Sequence, residues 1–217
     1  MQDYTVQVTG RRWLTGHTFE IRFGRPPGFE FLPGQKIGFV DPAARRDYTL
    51  LGPTHAPELA LCVRHIPQGR FSPRLAKAQP GERFQITPAF GFFTFKPSPR
   101  PAVFVATGTG VAPFVAFVRA GIQGFDLLHG VRSADALYYR QELASAARRY
   151  RPCLSGPLPA TESPQAFAGR VDACLADHFP PAKYDFYLCG NGDMIRDVMR
   201  RVDERFPGSH VFTETFF

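Results

Sequence analysis

The chain has 217 residues, is 44% hydrophobic and carries a formal net charge of +7. This length suffices for one large domain or for two modest domains with separate cores. No apolar run approaches membrane-spanning length, and the N-terminal residues lack a signal-peptide pattern, so we expect a cytoplasmic protein that binds no membrane.

The cysteines and the charge exclude further classes. The four cysteines are scattered and form no C-x-x-C pair, so we expect neither a zinc site nor a cysteine-held iron–sulfur cluster, and no metal. The positive charge is compatible with nucleic acid, an acidic protein or anionic small molecules. Because the arginine pairs are spread along the chain and form no dense basic block, we expect no binding of nucleic acid.

The first half of the chain contains six short runs that are bounded by turn residues and rich in β-branched and aromatic side chains. These predicted strands are YTVQVTG, TFEIRF, KIGFVD, RDYTLLG, LALCVRHI and RFQITP. Six such strands predict a small closed antiparallel barrel. The single predicted helix of this half is FSPRLAKA, with Ser72 as its N-cap and Pro73 at its first position.

After Pro101 the pattern changes to alternating strands and helices. The predicted strands are AVFVAT, FDLLHG, YRPCLS, DFYLCG and HVFTETF, and the predicted helices are VAPFVAFVRAG, LYYRQELASAARRY, GRVDACLADHF and GDMIRDVMRRVDERF. This alternation predicts a five-stranded parallel sheet with right-handed crossovers. We place the boundary near residues 96–100 and predict domains at 1–97 and 98–217.

The stretch TGTGVAP at 107–113 follows the first strand of the second domain. Ligands of parallel α/β sheets bind beyond the carboxyl ends of the strands, where helix N-termini present free N–H groups. Gly108 and Gly110 would let the backbone approach a diphosphate, and Thr107 and Thr109 offer hydroxyls. The spacing is not G-x-G-x-x-G, so this stretch alone predicts phosphate binding and a plain turn about equally.

Five motifs in order decide between these readings: RDYT at 46–49, GRFSPRL at 69–75, GTGVAP at 108–113, CGNGDMI at 189–195 and the closing FTETFF. With them the sequence resembles the ferredoxin–NADP reductase family, and specifically the bacterial flavodoxin/ferredoxin–NADP reductases, over nearly its whole length. The resemblance implies a flavin-binding β-barrel followed by a Rossmann-like nucleotide-binding domain, with FAD and NADPH as cofactors and NADH as the alternative coenzyme.

The resemblance assigns the flavin site to two segments of the barrel. Arg46 is expected to pair with the flavin diphosphate, Tyr48 to lie against the isoalloxazine, and the hydroxyl of Thr49 to lie near flavin N5. The second flavin loop contributes His65, Gly69, Arg70, Phe71 and Ser72. An ordinary barrel strand and a plain capped helix are the alternatives for these two segments.

The nucleotide site is implied in the same way. The loop Thr107, Gly108, Thr109, Gly110 is expected beneath the pyrophosphate, with Cys189 close to nicotinamide C4 and Gly190 leaving room for the dinucleotide. Arg132 and Arg170 are candidate clamps for a 2′-phosphate. The family's intervening Ser-Arg pair reads Ser155-Gly156 here, which leaves the choice between NADPH and NADH open.

The last residues complete the implied site: Phe216 would shield the isoalloxazine, Phe217 the adenine of FAD, and Glu214 would donate or relay a proton. Thr49, Cys189 and Glu214 are therefore the predicted catalytic residues. We expect a monomeric reductase that passes electrons from NAD(P)H through FAD to a ferredoxin or flavodoxin. The alternatives are a dedicated reductase component of an oxygenase, a free-flavin reductase and, far less favoured, a basic nucleic-acid-binding protein.

Overall fold

A computed structural model of the chain describes residues 3–40 and 46–216. It divides into two compact units. The first unit comprises Met1–Phe95 and Val115–Ala120, and the second comprises Lys96–Phe114 and Gly121–Phe217. Among the described residues, no helix combines the length and apolar character that crossing a membrane requires. The predicted domain limits, 1–97 and 98–217, stay a prediction.

The first unit contains a six-stranded antiparallel sheet. Its strands are β1 (Tyr4–Thr15), β2 (Thr18–Gly24), β3 (Lys36–Phe39), β4 (Arg46–Thr49), β5 (Glu58–Arg64) and β6 (Arg83–Ile86), in the spatial order β4-β3-β6-β1-β2-β5. A bridge between Leu50 and Leu61 joins the end of β4 to β5 and so closes the sheet into a barrel. All six predicted strands are present, and the predicted barrel is confirmed.

The barrel interior is filled by aromatic and β-branched side chains at alternating positions. On β2, Phe19, Ile21 and Phe23 are each fully buried, as the two-residue period of a strand with one inward face requires. Phe23 contacts Phe39 and Phe84 across the core, with ring centroids 5.8 and 6.0 Å apart. One short helix, α1 (Ser72–Lys77), packs Leu75 and Ala76 into this core.

The second unit is a parallel sheet with helices between its strands. The strands are β7 (Ala102–Thr107), β8 (Asp126–Val131), β9 (Arg149–Leu154), β10 (Phe167–Ala168), β11 (Asp185–Gly190) and β12 (His210–Thr215), in the spatial order β10-β9-β8-β7-β11-β12. The Rossmann-like prediction is confirmed. The sixth strand, β10, has only two residues, too few to leave a recognisable sequence pattern.

The helices of this part of the chain are α2 (Ala112–Arg119), α3 (Arg140–Ala146), α4 (Val171–His178) and α5 (Gly192–Arg205), with 3₁₀ turns at Gly108–Val111 and Ala134–Ala136. The predicted helix over 137–150 is wrong at both ends. Tyr139 adopts a left-handed conformation with φ +56°, so the helix begins only at Arg140, and β9 already begins at Arg149.

The core of the second unit lies between the sheet and its covering helices. Helix α5 is the longest, and its buried residues are Met194, Ile195, Val198 and Val202. These recur at helical spacing and pack with Phe186 and Leu188 of the inner strand β11. β11 is buried on both faces, as expected for a strand inside a parallel sheet.

Candidate functional site

Strand β4 carries the first predicted flavin residues. Arg46 and Tyr48 share one face of the strand because side chains alternate, and β4 pairs with β3 so that Tyr48 lies opposite Ile37. The Tyr48 ring meets Phe39 edge to face, with centroids 5.7 Å apart. Burial raises the pKa of Tyr48 to about 12, and the positive charge of Arg46 lowers it by a smaller amount. Tyr48 is therefore a neutral ring with a neutral hydroxyl at physiological pH.

Thr49, the last residue of β4, has a buried hydroxyl group. The residue is only 3% exposed, and its Oγ1 has no hydrogen-bond partner among the described residues. A buried hydroxyl without a partner costs about 1–3 kcal/mol, so native proteins keep few of them. The position fits a residue that gains its partner from a bound group.

The loop before α1 uses Ser72 in a way that the sequence did not predict. Its Oγ accepts the N–H of Ile66 at 3.0 Å, and Gly69 donates its N–H to the Ile66 carbonyl at 2.8 Å. Helix α1 has Phe71 as its N-cap and no side-chain cap. The predicted capping role of Ser72 is therefore wrong, because the hydroxyl closes the loop instead.

Three other predicted residues of this loop have different surroundings. Phe71 is buried and stacks at a tilt on Phe39, 4.8 Å between centroids, so that Phe39 contacts both predicted flavin segments. His65 is half-buried, with its ring 5.9 Å from that of Trp13. Arg70 is exposed. The structure thus brings Tyr48 and Phe71 together through one shared ring.

In the second unit, the two glycines of the predicted nucleotide loop serve different purposes. Gly108 has φ +55°, and a Cβ added to it would meet no atom within 4 Å, so its open side has room for a ligand. A Cβ on Gly110 would lie 2.3 Å from the Cys189 carbonyl oxygen. Gly110 is therefore required for packing of the loop against β11, and Gly108 is the glycine where a phosphate could approach.

The ends of β7 and β11 are tied together next to this loop. Thr107 accepts the Asn191 N–H on its Oγ1 at 3.1 Å. Gly190 has φ +139°, and a Cβ there would lie 2.2 Å from the same oxygen. The predicted nucleotide residues Thr107, Gly110 and Gly190 thus form one closely packed backbone crossing. Thr109, in the same 3₁₀ turn as Gly110, is half-buried.

The predicted catalytic residues of the second unit lie side by side. Cys189 on β11 is in register with Glu214 on β12. The Cys189 side chain is fully buried, and Glu214 is half-buried. Phe216 follows β12 and donates its N–H to the Gly190 carbonyl at 2.9 Å. Phe217 lies outside the described residues.

The two candidate phosphate clamps have different environments. Arg132 follows β8 and is exposed. Arg170 precedes α4 and binds two carboxylates, Asp172 at 3.3 Å and Asp197 at 2.7 Å. A Cβ on Gly156 would lie 2.4 Å from the Arg132 carbonyl oxygen.

Sequence reasoning missed several residues of these sites. Asn191 caps α5 by accepting the Asp193 N–H at 2.7 Å, a role that Asn before a helical pattern could have indicated. The sequence indicates only that Phe39 lies in a strand, and it does not reveal that its ring contacts both Tyr48 and Phe71. Asp197 is 27 residues from Arg170, so no local pattern could reveal that pair.

Several known proteins are similar to this chain over most of its length. A family model described as "Oxidoreductase NAD-binding domain" matches residues 104–200. Ferredoxin–NADP reductase B of Sorangium cellulosum is 29% identical, with 99% of this chain and 98% of that protein covered. Reductase component 1 of terephthalate 1,2-dioxygenase from a Comamonas species is 30% identical, with 90% of this chain and 62% of that protein covered.

Among solved structures, a ferredoxin NADP+ reductase from Neisseria gonorrhoeae with bound FAD and NADP superposes with a TM-score of 0.85. It is 21% identical, and both chains are covered completely, so it supports the fold. The fold, the relatives of full length and the five ordered motifs agree. The chain is thus similar in sequence to ferredoxin–NADP reductase B over its full length and shares the fold of a solved ferredoxin NADP+ reductase.

Proposed function

We propose that this protein is an FAD-dependent oxidoreductase that takes a hydride from NAD(P)H and passes electrons singly to a ferredoxin or flavodoxin. The full-length similarity to ferredoxin–NADP reductase B supports the reaction class. The observation that carries the proposal is the carboxyl edge of the parallel sheet. There, the open glycine Gly108 lies in the loop that packs on Cys189, which is in register with Glu214.

The residues of the barrel fit a flavin. The orphaned Thr49 hydroxyl needs a hydrogen-bond partner, and Tyr48 offers a neutral aromatic ring beside it in sequence. We assign Arg46 and the loop at the start of α1 to the diphosphate, since a guanidinium and the N–H groups of a helix start without a side-chain cap both favour an anion. Bound FAD would supply two-electron acceptance and one-electron release.

The residues of the second unit are assigned to the nicotinamide nucleotide. Gly108 leaves room for the pyrophosphate, and Thr107 and Thr109 flank it. Because the Cys189 thiol is fully buried, we assign it to shaping the position of the nicotinamide rather than to exchanging protons with solvent. Glu214 is half-buried on the adjacent strand, and we assign to its carboxylate the holding and transfer of a proton.

The acceptor has two candidates. A ferredoxin or flavodoxin is favoured by the relative that matches over full length, whereas the similarity to a dioxygenase reductase component favours a dedicated oxygenase partner. A broad acceptor range would support the first, and reduction of one oxygenase component alone would support the second. The cytoplasmic location and the monomeric state stay predictions.

Flavin binding tests the proposal directly. The purified chain is mixed with FAD and passed through a desalting column, and we expect yellow protein with one FAD per chain. Arg46→Ala should weaken FAD binding by about tenfold or more, because it removes a charge-assisted contact to the diphosphate. Lys77→Ala, which removes an exposed cation of α1, is the matched control and should bind FAD normally. A folded chain that takes up no FAD would end the proposal.

A further inference from the structure

The carboxyl ends of three neighbouring strands form one row in the second unit. Val131, Leu154 and Ala168 are in register across β8, β9 and β10. The row continues beyond the strands, since Gly156 donates its N–H to the Arg132 carbonyl at 3.0 Å. In doubly wound sheets, the residues at these ends contact the adenosine ribose of a dinucleotide and decide whether a 2′-phosphate fits.

Arg170, at the end of this row, is already neutralised. Its guanidinium, 57% exposed, binds Asp197 at 2.7 Å and Asp172 at 3.3 Å, and both carboxylates are partly buried, with 29% and 20% of their side chains exposed. A 2′-phosphate carries nearly two negative charges and would have to approach these two carboxylates. Repulsion therefore offsets what Arg170 could contribute.

No second arginine can enter the row at β9. A Cβ on Gly156 would lie 2.4 Å from the Arg132 carbonyl oxygen, a contact with backbone that cannot move aside cheaply. Any larger residue at this position requires the backbone to shift. The segment after β9 therefore places no cationic side chain at position 156, between Arg132 and Arg170.

The segment after β8 carries an acidic acceptor as well as Arg132. Ser133 donates its hydroxyl to the Asp135 carboxylate at 2.5 Å. An acidic side chain after the second strand suits a ribose with both hydroxyls free, because a carboxylate accepts hydrogen bonds from the hydroxyls and repels a phosphate. Asp197 also binds Arg200 at 2.6 Å, so two arginines share this carboxylate.

We infer that this protein uses NADH in preference to NADPH, with Asp172, Asp197 and Gly156 as the residues that disfavour the 2′-phosphate. The inference rests on the proposed function and sharpens it by naming the coenzyme. It refines the role of Arg170, which the structure shows paired with carboxylates rather than open to a phosphate.

Binding of two mononucleotides to the whole chain tests the inference without any redox chemistry. The probes are 5′-AMP and 2′,5′-ADP, which differ only in the 2′-phosphate, and calorimetry gives their dissociation constants. We expect 5′-AMP to bind at least as tightly as 2′,5′-ADP, and kcat/KM for NADH to exceed that for NADPH. Tighter binding of 2′,5′-ADP together with a higher kcat/KM for NADPH would overturn the inference.

A double variant isolates the cause. Asp172→Asn with Asp197→Asn frees Arg170 and should tighten 2′,5′-ADP binding by about tenfold while 5′-AMP binding stays the same. Glu204→Gln is the matched control, because it removes a carboxylate that pairs with Arg201 at 3.2 Å on the same helix α5. Equal effects of the double variant and the control on 2′,5′-ADP would contradict the assignment.

The failure of the inference can be told from failure of the proposed function. If NADPH reduces the chain better than NADH does, the inference is wrong and the proposed function still holds. If a folded chain binds none of FAD, 5′-AMP and 2′,5′-ADP and oxidises neither coenzyme, both the proposed function and the inference are wrong.

Discussion

Two glycines in one loop are required for opposite reasons. Gly108 has a left-handed backbone and open space beside it, whereas Gly110 is pressed against the backbone at Cys189. The sequence pattern T-G-T-G assigns both to ligand approach, because spacing does not reveal what lies across the loop. Only the pairing of β7 with β11 brings Cys189 to Gly110.

Alanine at each glycine separates the two roles. Gly108→Ala should cost about 1 kcal/mol of folding stability through its left-handed backbone, and should weaken nucleotide binding. Gly110→Ala should cost about 3 kcal/mol, because its Cβ overlaps fixed backbone. Thermal unfolding of both variants measures this order. Equal losses of stability would show that Gly110 is not packed as described.

His129 on β8 is a buried histidine that the sequence pattern did not single out. It is fully buried, its Nδ1 lies 2.9 Å from the Tyr150 hydroxyl, and its Nε2 has no partner among the described residues. Burial, with a smaller effect of the Arg140 charge, lowers the pKa of His129 from 6.5 to about 3. The native protein therefore holds this ring neutral across the physiological range.

This lowered pKa predicts acid sensitivity. The unfolded chain binds a proton at His129 below pH 6.5 and the native chain does not until about pH 3, so the stability present above pH 6.5 is lost as the pH falls through this window. At about pH 5 the loss due to this residue is about 2 kcal/mol. His129→Gln should flatten the stability profile between about pH 6.5 and 5 in denaturant titrations. An unchanged slope would show that His129 is protonated in the native state.

At the scale of elements, a buried carboxylate joins the starts of β8 and β9. Asp126 is fully buried and accepts hydrogen bonds from Arg148 at 2.6 Å and Arg149 at 2.9 Å. Burial opposes ionisation of Asp126, but the two guanidinium groups outweigh it and lower its pKa. The pair of strands therefore begins at one fixed charge cluster.

The cluster predicts non-additive losses of stability. Arg148→Ala or Arg149→Ala alone should cost about 1 kcal/mol, since one guanidinium still neutralises Asp126. Replacing both leaves a buried carboxylate unpaired and should cost about 3–5 kcal/mol. Urea unfolding of the two single variants and the double variant measures the coupling. Additive losses would mean that the two arginines act independently of Asp126.

The elements were predictable where the hydrophobic pattern was strong. The alternation at Phe19, Ile21 and Phe23 and the apolar run of β11 both identified strands correctly. The start of α3 was not predictable, because the left-handed backbone of Tyr139 interrupts a good helical sequence. The Ser72 hydroxyl likewise matches a helix cap in sequence and closes a loop in the structure, since its partner Ile66 is six residues away.

At the scale of the whole molecule, the net charge of +7 favours negatively charged partners over uncharged ones. A positive protein attracts an acidic redox carrier over a distance set by the ionic strength. The rate of reduction of an acidic ferredoxin should fall roughly tenfold between low and high salt, whereas reduction of an uncharged quinone should not. Steady-state rates over a salt series measure this. A flat profile with ferredoxin would contradict electrostatic docking.

Transfer of a hydride between a nicotinamide coenzyme and FAD, both bound by this one chain, is the reaction that we propose. It is tested most directly by mixing the FAD-loaded chain anaerobically with NADH and following the loss of the oxidised-flavin absorbance. We predict rapid bleaching that slows when the transferred hydrogen at nicotinamide C4 is deuterium. FAD-loaded protein that neither NADH nor NADPH bleaches would contradict the account.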